Sequence, residues 1–596
     1  MATEWHRAKW LILPAIALGC TANSPAPAAG GVAIAFAALE GTQACSATWN
    51  GTGTPPSAGA DAVDRLTLRW TALDTGKSAT ASITAKEVAS NGTWNVGVLP
   101  VSQQLQLQVY ACTADNRVVW YGKGSDFVVK QGEDTTARVF MTPPGKLACA
   151  GNAGAGGTLQ TPRAFAGGAA LTTGNAIAVG GADKWDGTLA KASVATDIYD
   201  AKLGTWRAGP SLLAARIWPQ VLPLDATRVL VAGGSARLQK TNNTLPITLF
   251  APDDLSSAAL VTPAAEVLDV QTEGAKSVAA VANIGSGVRP FASATVAGDT
   301  VVFAGGLGED NKALATGARV RGLADIANLG VGTTDALTLA AARIQPNVLA
   351  YADGAVVVWG GQTSAQAADF GEVIDKDGKA GALLTVTGDA ILTDPNAQAM
   401  GAAAVVLSEQ GDVLTFFVTG GIPVDAGWAT GTPSYVVLVD RVARTAVCKK
   451  VALPADTVLP GGIGVAATRL DGGYILVSGG LLGLGKLASS ADPQSQCQTD
   501  EQTKTGCLVS GFVLLAPPAD LAPAQIAMTA VKIDGLSPMG PHFGQIAVPL
   551  PVGAVLTGGL ETVVSLPVTA TDAFDATAQI ISAPFSAAAS QAACKL

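Results

Sequence analysis

A hydrophobic run of five or six residues ends in Gly-Gly seven times in this 596-residue chain, at Gly180-Gly181, Gly233-Gly234, Gly305-Gly306, Gly360-Gly361, Gly420-Gly421, Gly479-Gly480 and Gly558-Gly559. The intervals are 53, 72, 55, 60, 59 and 79 residues. A strand of Ala, Val, Ile and Phe that closes on two glycines is a backbone signal, because Gly reaches dihedrals closed to other residues and lets neighbouring chains approach. Seven copies define a repeat architecture.

The surroundings of each pair give the unit more detail. About 17 residues upstream stands a second strand, often opened by arginine: Arg163, Arg216 and Arg343 precede their pairs by 17 residues and Arg289 by 16. Short turns such as Thr173-Gly174-Asn175 and Ala352-Asp353-Gly354 separate the two strands, as in hairpins. Downstream, a third strand ends in a bulky apolar residue plus aspartate, at Tyr199-Asp200, Leu268-Asp269, Ile374-Asp375, Val439-Asp440 and Phe574-Asp575. In the first unit Trp206 follows.

This arrangement resembles the kelch repeat, whose unit is one four-stranded blade of a β-propeller. The first unit matches best, from Arg163 through Gly180-Gly181 and Tyr199-Asp200 to Gly204-Thr205-Trp206; elsewhere Ala275, Val447 and Ile581 stand where the family has tryptophan. The resemblance covers roughly residues 160 to 585 and implies an all-β fold, a kelch-type propeller of seven blades with six as the alternative. A propeller spreads its core between blades, so two domains suffice for this length.

Charged residues make up only 14% of the chain, many alanines help lift the apolar fraction to 48%, and there are 69 glycines besides. The net charge of −9, with no basic run, argues against nucleic acid. No apolar run reaches the ~18 to 20 residues of a membrane-spanning helix.

Residues 1–20 resemble a bacterial lipoprotein signal. Arg7 and Lys9 precede an apolar run that leads into Ala17-Leu18-Gly19-Cys20, and the resemblance implies lipidation of Cys20. With no Asp just after Cys20, it places the protein in the bacterial cell envelope, at the outer rather than the inner membrane. Residues 21–31 read as a flexible tether. From 32 to 146 the texture changes to period-two strands, including Leu66–Trp70, Ala81–Thr84, Leu105–Tyr110, Val118–Tyr121 and Thr136–Phe140. These predict a small β-sandwich resembling immunoglobulin-like or transthyretin-like modules, followed by the propeller over 147–596.

With Cys20 lipidated, seven cysteines remain, an odd number. The expected disulfides are Cys45 with Cys112, Cys497 with Cys507, and Cys149 with Cys594 across the seam between first and last blade. Cys448 is then left as a buried small hydrophobe.

The long intervals place extra residues at about 235–262 and 481–506, both extending one face. Long loops on a rigid scaffold are where binding usually lives. Arg163, Arg216, Arg289 and Arg343, with His542 in the corresponding place of the last unit, are expected to converge at the channel mouth on that face. Clustered guanidinium groups suit carboxylate or phosphate, and kelch domains that capture acidic peptides use arginine at this place. The competing expectation is that each arginine pairs within the fold.

Enzyme chemistry is poorly furnished. Only His6 and His542 are present, which excludes a histidine-rich metal site and the two-histidine copper site of galactose-oxidase-like kelch enzymes. Asp375-Lys376-Asp377-Gly378 stops short of a calcium loop and reads as a β-turn. The expectation is thus a non-enzymatic binding protein without metal or cofactor, whose partner is a protein, peptide or glycan with acidic groups. A carbohydrate-active enzyme using paired carboxylates is the first alternative and a structural part of an envelope assembly the second.

Overall fold

Both glycines of all seven Gly-Gly pairs have positive φ, from 60° at Gly479 to 118° at Gly559. An L-residue in the left-handed region costs roughly 1–2 kcal/mol, and here space is short as well. A Cβ on Gly305 would lie 2.3 Å from the carbonyl oxygen of Arg343, and one on Gly180 2.6 Å from that of Arg216. Each arginine belongs to the next unit, so the diglycine is where consecutive repeats touch. The second glycine makes the contact a hydrogen bond: Gly181 N–H donates to Arg216 O at 2.7 Å, Gly306 to Arg343 O at 2.8 Å, and Gly559, in the last unit, to Arg163 O in the first at 2.9 Å.

A computed structural model of the chain describes residues 29–37, 55–88, 92–149, 157–185, 189–239, 264–270, 278–280, 288–308, 312–328, 332–361, 370–388, 400–422, 434–454, 464–482, 495–499, 505–509, 512–518, 520–531, 544–560 and 578–595, with 457, 459, 460, 462 and 533 singly. It is almost entirely β-structure, in many small, mostly antiparallel sheets. Seven of these contain the Gly-Gly strands. Their first strands are Gly167–Ala170, Gln220–Pro223, Ser293–Ala297, Asn347–Ala350, Met400–Gln410, Ala466–Arg469 and Ile546–Leu550. Each of these seven strands neighbours the next in order, and the seventh neighbours the first, closing a ring. Apolar clusters fill the space between adjacent sheets, for example Val179, Ile198, Val221, Val229 and Leu268 between the first and second.

In the first sheet the order follows the chain outward: Gly167–Ala170, Ala176–Val179, Thr196–Asp200 and Thr205–Ala208. Tyr199 and Trp206 pack with ring centroids 5.4 Å apart. The aspartate ending the third strand makes the next turn. Asp200 Oδ1 accepts from the N–H of Lys202 and Leu203, and Asp440 Oδ1 does the same for Val442 and Ala443.

The seventh sheet departs from expectation. Its third strand is Ala578–Ile581, while Phe574-Asp575 lies outside the described residues. Its outermost strand comes from the other end of the ring: Leu147–Cys149 pairs antiparallel with Ala578–Ile581, Cys149 opposite Gln579. Hydrogen bonding between distant chain segments therefore closes the ring, where a disulfide at Cys149 was expected. Cys594 is bonded to Cys112 instead. The reason is the helix Ala587–Cys594, which leaves the ring and packs on the N-terminal module, with Thr67 Oγ1 donating to Ala593 O at 2.9 Å and Arg65 Nε to Cys594 O at 3.0 Å. Cys112 is thereby unavailable to Cys45, which lies outside the described residues, as does Cys20. Cys497 stands opposite Cys507 in the register of Ser495–Thr499 and Thr505–Val509. Cys448 is free and buried, and its burial pushes the thiol pKa up.

The N-terminal module contains a three-stranded sheet (Thr93–Pro100, Ala29–Ala37, Thr135–Phe140) and a four-stranded sheet (Lys77–Thr84, Arg65–Ala72, Ser102–Cys112, Val118–Val129). Both contribute to one buried cluster, Ile34, Leu66, Leu68, Leu107, Val109, Trp120 and Val139 among others. The strand Ala29–Ala37 takes in the last residues of the stretch expected to be tether. The module lies against the turn side of the ring: Lys202 Nζ sits 4.8 Å from the Phe127 ring centroid, Lys123 meets Asp471 at 3.1 Å, and Gly204 abuts Phe140. The Gly-Gly ends face the other way.

Candidate binding site at the centre of the sheet ring

Three of the four arginines do not offer their guanidinium groups at the mouth. Arg163, Arg216 and Arg343 are wholly buried. Each turns into its own sheet and donates to backbone carbonyls at or near the Gly-Gly pair. Arg216 donates from Nη1 to Gly233 O and Ala264 O, both at 2.9 Å, and Arg343 from Nη1 to Gly360 O at 2.8 Å. Arg163 donates from Nη2 to Ala178 O at 3.0 Å. A buried carboxylate balances each charge: Asp197 at 2.7 Å from Arg163, Glu266 at 2.8 Å from Arg216, Glu372 at 2.9 Å from Arg343. Burial pushes the Asp197 carboxyl up and the Arg163 and Arg216 guanidinium groups down, with the partner's charge opposing it in each case. Arg289 is half-buried, and His542 lies outside the described residues.

The acids had a sequence signal that went unused. Asp197, Glu266 and Glu372 each stand three residues before the aspartate of the third strand, Asp200, Asp269 and Asp375.

What reaches the centre is the residue two positions after each arginine. Phe165, Trp218, Phe291 and Gln345 have φ of 56°, 59°, 57° and 51°. Gly401, Gly464 and Gly544 hold the equivalent place in the remaining three sheets, at 72°, 68° and 72°. Three hydrogen bonds link these peptide groups between neighbouring sheets. Phe165 N–H donates to Gly544 O at 2.7 Å, Trp218 N–H to Phe165 O at 2.7 Å, and Gln345 N–H to Phe291 O at 2.8 Å. The left-handed turn thus carries the chain from one sheet's contact into the next innermost strand, and four residues hold it at a backbone cost that glycine avoids.

The side chains form a crescent on one side of the axis. Phe165 and Trp218 stack with centroids 5.4 Å apart, and Phe291 meets Trp218 edge-on at 6.2 Å. Opposite them a cavity of about 290 Å³ is lined by Gly464, Ala466, Ala467, Ala403, Gly544 and their neighbours, together with Phe165, Trp218, Asn347 and Gln545. No charged side chain is among its described lining residues. Oε1 of Gln345 and Nδ2 of Asn347 are buried without a hydrogen-bond partner.

The lengthened loops stand on the same face. Part of the first forms Arg237–Gln239, which completes a small sheet with Ala182–Trp185 and Leu189–Ala192 and so ties the first two repeats together above Phe165 and Trp218. Part of the second forms another three-stranded sheet from Leu481–Leu482, Ser495–Thr499 and Thr505–Val509. Asp375 to Gly378 is a turn closed by Gly378 N–H on Asp375 O, whose carbonyls Arg319 binds from the neighbouring sheet. Among the described residues no cluster of His, Cys, Asp or Glu is placed to hold a metal ion. No protein-family model matches the chain, and no curated protein matches it.

Proposed function

We propose that the chain is a lipid-anchored, seven-bladed propeller of kelch type on a β-sandwich stalk, and that it binds a partner without catalysing a reaction at the bacterial envelope. Seven Gly-Gly sheets whose first strands close a ring support the architecture, and two sheets sharing one apolar core support the sandwich. The observation that carries the function is a cavity lined by Phe165 and Trp218, with no charged side chain among its described lining residues, on the face turned away from the N-terminal module. Aromatic groups that keep an apolar face at a concave site are the usual anchors of recognition. Anchored through Cys20, the stalk would hold this face away from the membrane. The acidic-partner expectation loses its basis at Arg163, Arg216 and Arg343, whose charges are already neutralised inside the fold.

The test uses a photo-crosslinking amino acid at Gln345, two residues before the cavity-lining Asn347, and at Val442, 73% exposed on a turn of the opposite face. Adducts from Gln345 and none from Val442, in cells that sort the chain to the envelope, support the reading; equal adducts from both, or none from either, refute it. Changing Cys20 to serine should release the protein from the membrane fraction.

A further inference from the structure

We propose that the small sheet tying the first two repeats together is a docking row for a short acidic stretch of a partner protein. This inference rests on the reading that the Gly-Gly face binds a partner, and it names that partner's chemistry. In the strands Ala182–Trp185, Leu189–Ala192 and Arg237–Gln239, Lys184 stands opposite Lys191, and Lys191 stands opposite Arg237. Residues directly opposite in an antiparallel ladder share one face of the sheet, with Cβ atoms about 4.5–5.5 Å apart. Three cations therefore stand in one line across three strands, a row of ~10 Å at two strand spacings.

The row faces solvent. Lys184, Lys191 and Arg237 are all exposed, whereas Ala190, one place along the middle strand and so on the other face, is 1% exposed. The third cation is not part of the first repeat: the hairpin Ala182–Ala192 brings two, and the lengthened loop of the second repeat adds Arg237 at the end of the line.

Like charges set directly opposite each other destabilise a sheet. The chain has acids enough to balance such a row, 46 against 37 basic residues, yet no described carboxylate pairs with Lys184, Lys191 or Arg237. Asp183, next to Lys184 in sequence, acts instead on the buried charge of Arg163. An anion laid along the row gains at each cation and relieves the repulsion between them. Net charge limits how long that anion is. Nucleic acid or an anionic polysaccharide would carry its charge past the row and onto a protein of net charge −9. Two or three neighbouring Asp or Glu side chains on a partner protein match ~10 Å and three cations, and end there.

The experiment is fluorescence anisotropy on the full chain carrying Cys20→Ser, at low salt. The probe is a dye-labelled peptide with three consecutive glutamates between glycines; its glutamine counterpart, trigalacturonate and a short single-stranded DNA serve as comparators. The glutamate peptide should bind and the glutamine peptide should not. Exposed ion pairs are weak singly, so affinity should fall roughly tenfold when Lys184, Lys191 and Arg237 are all changed to Gln, and roughly threefold for Lys191→Gln alone. Lys191→Arg should keep it, and so should Lys77→Gln, at an exposed lysine of the N-terminal module. Because the row repels itself, Lys191→Gln should not lower the thermal midpoint, which separates lost binding from lost fold. Unchanged binding in the triple variant, or an equal loss in Lys77→Gln, overturns the location. Tighter binding of trigalacturonate or DNA than of the peptide overturns the partner class. Absence of binding by the glutamate peptide overturns the proposal; if the Gln345 crosslinker then still traps a partner, the binding reading survives, and if it traps nothing, both fall.

Discussion

The guanidinium of Arg216 and the carboxylate of Glu266 meet at 2.8 Å with neither side chain reaching solvent. Glu266 Oε2 also accepts from Leu213 N–H at 2.7 Å, so the pair ties the strand entering the second sheet to that sheet's third strand. Removing one partner of a buried pair leaves an uncompensated charge and typically costs about 3–5 kcal/mol. Glu266→Leu should therefore lower stability by about that much. The double change Arg216→Met with Glu266→Leu should recover part of it, and not all, because Gly233 O and Leu213 N–H lose these partners. Denaturant midpoints measure both. A loss under about 1 kcal/mol for Glu266→Leu would mean that water reaches the pair.

Gly305 and Gly411 both have positive φ, 67° and 59°, and differ in what surrounds them. A Cβ on Gly305 meets the Arg343 carbonyl at 2.3 Å, whereas one on Gly411 meets nothing within 4 Å. Gly411→Ala should cost only the backbone term of about 1–2 kcal/mol. Gly305→Ala should cost clearly more, because the contact between the third and fourth sheets must open. Thermal midpoints that rank the two variants the other way would remove the diglycine as the contact between repeats.

The innermost two strands of each repeat were legible because their signals are local: apolar alternation, a turn, and glycines where φ must be positive. Asp200 and Asp440 were legible for the same reason, since each caps the turn that follows it. The role of Arg163, Arg216 and Arg343 was not, because spacing places a residue at the start of a strand without saying which way its side chain turns. The carbonyls of Gly233 and Gly360 decide that, and they draw the guanidinium groups inward. Phe165 and Trp218 stood in plain view two residues later, and what brings them together is ring closure, which no single repeat encodes. The seam was the least legible part. Leu147–Cys149 is three residues long and pairs with a strand near the other end of the chain, so nothing near Cys149 announces it.

Arg441 bridges two turns on the turn side of the ring, with Nη1 on Asp353, Nε on Asp412 at 2.8 Å, and its guanidinium 4.9 Å from the centre of the Tyr351 ring. The hydrogen bond from Arg441 holds the Asp353 carboxyl below its ordinary value of 3.8. A group whose pKa is depressed by folding contributes stability above its unfolded pKa and loses it as pH falls through the folded value. Asp353→Asn should accordingly lower the thermal midpoint slightly near neutral pH, and the gap to the parent should close in the acid range, below the ordinary aspartate value. A gap that persists unchanged in strong acid would mean that the amide has disturbed packing rather than charge.

The Cys112–Cys594 bond spans 482 residues of sequence and joins the C-terminal helix to the N-terminal module, so almost the whole ring lies within the loop it closes. In the chain-entropy model a loop of that length restricts the unfolded state by several kcal/mol, though native disulfides deliver about 2–5 kcal/mol in practice. Cys594→Ser should thus lower the unfolding midpoint by that order and expose the helix Ala587–Cys594 to proteolysis, since Thr67 and Arg65 are then left to hold its end. Cys149→Ser should leave the midpoint nearly unchanged, because the strand Leu147–Cys149 is held by its backbone pairing. Peptide mapping without reduction should recover Cys112 linked to Cys594. A Cys149–Cys594 peptide, or equal sensitivity to both substitutions, would move the covalent closure back to the seam between the first and last sheets and leave the module without a covalent tie to the chain's end.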